Sequence, residues 1–433
     1  MFIHVGIDDT DSRGGQCTTY IASKIISKLI NYEFIDYPNL VRLNPNVPWK
    51  TKGNAAVCFR FHADNPKEIF SKISKIVKQQ APEESHSGIV LYEGEKINVQ
   101  IKNLYKDALN GIININRAKR IIKENGILSY GGLGVIGALS SIGADFKKDH
   151  TFEIIAYRKK ENWGMKRNVD YNSVVKMDEI TGKDTFSNID SEKEKLLVSP
   201  NGPDPVLVGI RGENPMILIK ALNLVELGEK IESFIIFRSN QGTGEHLNQQ
   251  LDVNKLKSYS SGYINGQLSR KAWVEKGGHV YFEIIKSDNS CICAVYEPAG
   301  DLRKIATQLN EGDYLKIYGG IRKPTTKHKL VLNVEQIEIL EMNNSYKYMN
   351  DICKQCEKRM ESMGFMKGYR CEKCGKRYPY AKKMKSHIER DIKPGIYLPP
   401  LRSQRHLTKP YSRFNLEKNN MTNEIKSNWF WFA

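Results

Sequence analysis

Two Cys-x-x-Cys pairs, Cys353/Cys356 and Cys371/Cys374, stand fourteen residues apart. Two-residue spacers set two thiolates on one side of a metal, and a second pair completes a tetrahedron around Zn²⁺. The intervening length is that of a zinc ribbon. With four sulfur donors no place remains for water, so the metal is structural. The other cysteines, Cys17, Cys58, Cys291 and Cys293, are scattered in apolar surroundings. That is not a disulfide framework, and it indicates a reducing cytoplasm. Cys291 and Cys293 alternate on one strand face and read as buried. No stretch approaches eighteen apolar residues, so no membrane span is expected. The first residues lack the basic start and unbroken apolar core of a signal peptide.

A chain of 433 residues exceeds one ordinary core, and the length prior gives roughly three domains. Lys and Arg outnumber Asp and Glu by 66 to 49, a net charge of +17. Such an excess favours a polyanionic partner through counterion release.

The chemistry concentrates at the start. Residues 2 to 7 are an apolar, partly β-branched run that predicts a buried strand. Asp8, Asp9 and Asp11 follow at its C-terminal end, then Gly14 and Gly15. Thr18 and Thr19 then open an apolar-periodic helix from Tyr20 to Ile30. Carboxylates at a strand end suit Mg²⁺, which takes oxygen ligands and shares them with substrate phosphates. Adjacent glycines before a helix N-terminus let backbone N–H groups approach an anion, which the helix dipole favours. Together these features predict a Mg-nucleotide site. The competing reading is a strand, a solvated Asx-type turn and a threonine N-cap.

Strand and helix patterns alternate from residue 1 to about 125. Within them, Asn44-Pro-Asn-Val-Pro-Trp-Lys-Thr-Lys-Gly-Asn54 holds a loop carrying Trp49, Lys50, Lys52 and Asn54. It reads equally as a stacking ring beside cations or as a basic turn. Gly132-Leu-Gly-Val-Ile-Gly137 matches the dinucleotide string, but its preceding strand is short and the expected acidic residue is not clearly placed. Close helix packing is the better explanation. Strands at 152–158, 205–210 and 234–238 with a helix at 215–227 predict an α+β layer, ferredoxin-like by content. Between 260 and 342, three strands, a helix and two strands follow in the order of an OB-fold, a barrel that binds oligonucleotides. Residues 376 to 413 hold eleven Lys or Arg against two Asp or Glu, interleaved with Tyr378, Tyr380, Tyr397 and Tyr411. Cations grip phosphates while rings stack unpaired bases, so this stretch is expected to contact nucleic acid. The last twenty residues look frayed, although Trp429-Phe-Trp431 could dock.

The string Gly-Ile-Asp-Asp-Thr-Asp with Cys-Thr-Thr-Tyr closely resembles the archaeal tRNA-isoleucine 2-agmatinylcytidine synthetases. The loop at 44 to 54, the OB order and the four-cysteine ribbon fit as well, so the resemblance spans nearly the whole chain. It implies a multidomain α+β protein. An α/β kinase-like catalytic domain is expected over 1–125 and a ferredoxin-like domain over 126–255. An OB-fold follows over 256–345, a zinc ribbon with basic tail over 350–415, and a C-terminal extension over 416–433.

It also implies a reaction. Agmatine replaces the 2-oxo group of the wobble cytidine in isoleucine tRNA with a CAU anticodon, at the expense of ATP, so that the tRNA decodes AUA. Phosphorylating that oxygen makes a poor leaving group a good one, and phosphoryl transfer needs metal and positive charge more than covalent help. By this resemblance Asp8, Asp9 and Asp11 bind Mg²⁺, Lys50 and Lys52 steady phosphates, and Thr18 is itself phosphorylated. Gly14, Gly15 and Asn54 complete the expected nucleotide site. The expected partners are the tRNA and agmatine, with no membrane and no obligate protein partner. The rival from another class is a non-catalytic single-strand-binding protein. An OB-fold, a ribbon and a basic surface suffice for it, but it leaves the acidic motif unexplained.

Overall fold

The computed structural model describes residues 1–419, Ile425 and 428–432. The expected extension over 416–433 therefore lies partly outside the described residues. The first half-sheet is built from strands β1 (Phe2–Asp8), β2 (Asn39–Arg42), β3 (Ala55–His62), β4 (Gly88–Glu93) and β5 (Leu128–Gly131). Their order is β5-β4-β1-β3-β2, and every pairing is antiparallel. Central β1 is buried on both faces, because Ile3, Val5 and Ile7 face one layer of helices while Gly6 admits another. Helices α1 (Thr18–Leu29) and α2 (Pro66–Gln80) pack Ile21, Ile25, Ile69 and Ile73 on the first face. Helices α3 (Val99–Asn110), α4 (Ile115–Glu124) and α5 (Val135–Gly143) cover the second with Ile101, Leu104, Ala118 and Leu139.

The sheet does not stop there. Strand Ile231–Ser239 lies parallel to β2 through Arg238 opposite Asn39 and Ser239 opposite Leu40. It continues antiparallel into β6 (Thr151–Arg158), strand Val206–Gly212 and β7 (Thr185–Phe186). One ten-stranded sheet thus runs through both expected N-terminal blocks. Helices Tyr171–Thr181 and Pro215–Leu224 cover one face of this second half. On its other face Ile155, Tyr157, Ile235 and Phe237 join the core around α1. The Trp429–Trp431 segment is not frayed: strand Phe430–Phe432 pairs with Ser233–Ile235, and Trp429 packs against Phe34 and Tyr37.

The third core is a small closed barrel. Strands Ser261–Leu268, Val280–Lys286 and Asn289–Val295 precede helix Asp301–Gln308, and strands Tyr314–Arg322 and Val331–Glu341 follow it. Pairing of Gln267 with Ile285 closes the ring, and Ile264, Phe282, Cys293, Ile317 and Ile337 fill it. Cys291 and Cys293 are buried there, as their alternation predicts. Beyond the barrel a two-stranded hairpin, Tyr346–Met349 with Met384–His387, carries the cysteine cluster at its far end. The chain then returns. Gly395–Tyr397 pairs with the barrel strand Val331–Glu341, and residues 398–418 run back as a strap across the large sheet.

Candidate active site and nucleic-acid surface

A cavity of about 790 Å³ opens where β1 ends and where α1 and α5 begin. Asp8, Asp9 and Asp11 line it with Thr18 and Thr19. Asp8 is held at the strand end: its Oδ1 accepts the Asp9 N–H at 2.7 Å, and Gly137 of α5 leaves no room for a Cβ beside its other oxygen. The Gly132–Gly137 run is therefore a close-packing device. Asp9 takes the left-handed backbone, φ 52°, uncommon for a residue with a side chain and a form of strain that clusters at functional sites. Burial, and after it the charge on Asp9, pushes the Asp8 carboxyl well above its ordinary value. Burial likewise raises Asp9, with Asp11 adding to it. Burial raises Asp11 too, opposed by a hydrogen bond from Thr51 and the charge of Lys52. Acidic groups crowded out of water gain from a bound cation.

Helix α1 begins at Thr18, earlier than its apolar periodicity indicates. Cys17 occupies the N-cap with extended backbone and makes no side-chain cap. The buried Thr18 hydroxyl is therefore not a helix cap. The first N–H groups of α1 lack intrahelical partners and lie beside the cavity, which suits an anion.

The loop from Asn44 to Asn54 forms another wall, pinned at both ends. Asn44 Nδ2 donates to the carbonyls of Gly111 and Tyr259, Asn46 Nδ2 to Ser261 Oγ, and Asn54 Nδ2 back to the Asn44 carbonyl. Thr51 Oγ1 donates to Asp11 Oδ1 at 2.8 Å. Lys50 braces the loop by donating to the Pro45 and Val47 carbonyls. Lys52 is ion-paired with Asp204 and lies 3.8 Å from Asp11. Lys50, Lys52 and Asn54 all border the cavity. Gly14 and Gly15 do not line it; they close a turn in which Ser12 and Gly15 exchange backbone hydrogen bonds.

Several lining residues had no local signal in sequence. Glu153 of β6 accepts from Arg211 and Gln241, and Arg42 of β2 lies nearby, its guanidinium lowered by burial to about 10. Asp204 sits in a turn, Asn201-Gly-Pro-Asp-Pro205, that reads only as a loop. The strap contributes Gln404, Arg405, His406 and Thr408. The charge of Arg42, then the cavity walls and Arg211, lower His406 well below the usual imidazole value.

The four ribbon cysteines converge: their Sγ atoms lie within 4.8 Å of one another, Cys353 and Cys374 at 3.7 Å. A tetrahedron of ~2.3 Å Zn–S bonds needs sulfurs about 3.8 Å apart, so the set fits zinc. Among the described residues this is the one such cluster. The three aspartates share a cavity but are not a preformed three-ligand cage.

The basic stretch divides. Arg390 forks onto buried Asp313, Arg402 bridges Asp190 and Glu192, and Arg405 Nε lies 3.1 Å from a Glu335 carboxylate oxygen. Lys409 pairs with Glu417, and fully buried Arg413 reaches Asp149 and Glu213. These five serve the interior. Lys376, Arg377, Lys382, Lys383, Lys385 and Lys393 are exposed. The hydroxyls of Tyr397 and Tyr411 bond local backbone, and Tyr378 leans on Cys353 Sγ, which leaves Tyr380, 93% exposed, as the free ring of the four.

The chain also matches known proteins along nearly its whole length. The family models described as TiaS TCKD domain, TiaS FLD domain and TiaS C-terminal zinc ribbon domain match residues 4–132, 132–246 and 350–392. The tRNA-isoleucine 2-agmatinylcytidine synthetase TiaS of Cenarchaeum symbiosum is 38% identical over 95% of this chain and 92% of its own. The crystal structure of TiaS in complex with its isoleucine tRNA and ATP superposes with TM-score 0.86 at 33% identity, covering 98% of this chain and 99% of that one. The complex of TiaS with the same tRNA, AMPCPP and agmatine gives 0.84 at 33% identity, covering 96% and 98%.

Proposed function

The chain belongs to the tRNA-isoleucine 2-agmatinylcytidine synthetase family, and from that premise we propose how its cavity works. It is an ATP-dependent tRNA-modifying ligase. It conjugates agmatine to the 2-oxo carbon of the wobble cytidine in isoleucine tRNA with a CAU anticodon, through phosphorylation of the base. The observation that carries this reading is one cavity that joins crowded carboxylates, two helix N-termini and a cationic wall, in a chain matched to these enzymes along its length. A plain single-strand binder has no use for acidic groups buried in a cavity, since they repel phosphate.

In this reading residues 1–125 form the kinase-like domain, 126–255 the ferredoxin-like domain and 256–345 the OB-fold. The zinc ribbon with its basic tail spans 350–415, and the enzyme is cytoplasmic. Asp8 and Asp9, with Asp11 tethered by Thr51, would hold Mg²⁺, which would supply positive charge for the transferring phosphoryl group. The N–H groups of α1 and Lys52 offset further phosphate charge, while Lys50 keeps the loop in place. Thr18 presents its hydroxyl to the cavity and accepts a phosphoryl group. The cysteine cluster holds structural zinc.

Incubation with tRNA, ATP and labelled agmatine, followed by nucleoside mass analysis, tests this. Wild type should form the conjugate. Asp9→Ala should lose product by orders of magnitude with tRNA affinity nearly unchanged, and Thr18→Val should do the same without lowering Tm. A wild-type enzyme that binds tRNA but leaves its cytidine unmodified overturns the assignment.

A further inference from the structure

Of the five tryptophans, four are settled. Trp163 packs edge-on against Tyr20, Trp273 stacks on Tyr281, Trp429 meets Phe34 and Tyr37, and Trp431 stacks on Phe234. Trp49 has no ring, cation or hydrogen-bond partner among the described residues, and it is 60% exposed. Yet its loop is not loose. The bonds from Asn44 and Asn46 tie it to the barrel, Thr51 ties it to Asp11, and Arg405 donates to the Pro45 carbonyl at 2.9 Å. A large apolar ring held in water by a braced loop forgoes burial that a bound ring would restore.

Two more exposed apolar side chains line the same cavity, Ile112 after α3 and Leu133 before α5. Exposed Arg13 and Lys195 also line it. An exposed aromatic ring, exposed aliphatic groups and cations lining one cavity match what a base everted from a strand needs, a ring to stack on and charge for its flanking phosphates. We propose that the Trp49 indole is the stacking platform for the everted wobble pyrimidine, which it presents to the cavity where Asp8 and Asp9 lie. This rests on the tRNA reading above. Attachment to the barrel favours an RNA base over the adenine of ATP, because it couples the ring to an element suited to holding a strand.

The test compares full-length wild type, Trp49→Ala and Trp49→Phe. Each is measured for affinity toward tRNA carrying either cytidine or an abasic residue at the wobble position, for ATP affinity, and for agmatine transfer. Base–aromatic stacking corresponds to about 5- to 150-fold in affinity. Wild type should lose that factor on abasic tRNA. Trp49→Ala should show no difference between the two tRNAs, with ATP affinity unchanged and transfer reduced, and Trp49→Phe should restore most of the discrimination. An equal cytidine-to-abasic ratio in wild type and Trp49→Ala overturns the proposal. Weakened ATP binding with that ratio intact also overturns it and assigns the ring to adenine. If wild type discriminates between the tRNAs yet transfers no agmatine, the stacking platform stands and the reaction assignment falls.

Discussion

The ribbon and the strap are neighbours in sequence, equally rich in cations, and opposite in use. In the ribbon and its hairpin, Lys376, Arg377, Lys382, Lys383 and Lys385 are exposed around a cysteine cluster made from a short stretch of chain. In the strap, Arg402, Arg405 and Arg413 are each met by a carboxylate from a distant element. Net charge therefore does not tell which cations face solvent. The first region leaves its cations exposed, and the second uses them to hold the barrel, the sheet and the cavity wall together.

The sharpest way to break this contrast is Arg413→Ala. It leaves Asp149 and Glu213 facing a gap, and removing one member of a buried ion pair costs about 3–5 kcal/mol. Denaturant unfolding should show that loss, whereas alanine at Lys382, Lys383 and Lys385 together should leave stability nearly unchanged. An equal effect from both variants would erase the distinction.

The same triple lysine variant should act on RNA instead. Each phosphate contact removed lowers the slope of log K against log salt by about 0.7–0.9, so roughly two units should vanish. Titration of tRNA binding at several salt concentrations reads this directly, and an unchanged slope would move the RNA grip elsewhere.

The smallest effect lies at Glu335, where barrel and strap meet. Burial raises its carboxyl, but Arg405, His246 and Lys50 outweigh burial and hold it below the usual value. A depressed carboxylate stabilises the fold above its unfolded value, about 4.3, and that contribution disappears as pH falls through the lower folded value. Glu335→Gln should therefore cost about 1–2 kcal/mol at pH 7. The gap to wild type should close in acid. A difference independent of pH would mean that packing, not charge, is lost.

What could be read from the sequence was local. The cysteine spacing fixes its own cluster, and the strand–acid–helix opening fixes the end of β1 and the start of α1, because neighbouring residues alone set those geometries. The barrel order is legible for the same reason: strands, helix and turns each announce themselves. Glu153, Asp204 and Arg211 were not legible, because they reach the cavity only through the pairing of two half-sheets. The strap misled for a related cause. Its cations look free until Asp149, Glu213 and Asp190, some two hundred residues earlier or more, are folded against them. Gly14 and Gly15 were plausible phosphate ligands by type, but a hydrogen-bonded turn uses them up.

The strap also sets a clock. On a nascent chain Asp8, Asp9 and Thr18 leave the ribosome first, while Gln404, Arg405 and His406 are among the last parts of the cavity wall to emerge. Contacts of such sequence separation form late and slowly. During synthesis the acidic cluster sits at the end of β1 without the wall that the strap adds to its cavity. Completion of the cavity wall is thus deferred until translation has passed the strap, so the route of the backbone fixes the order in which the two sides of the cavity are made.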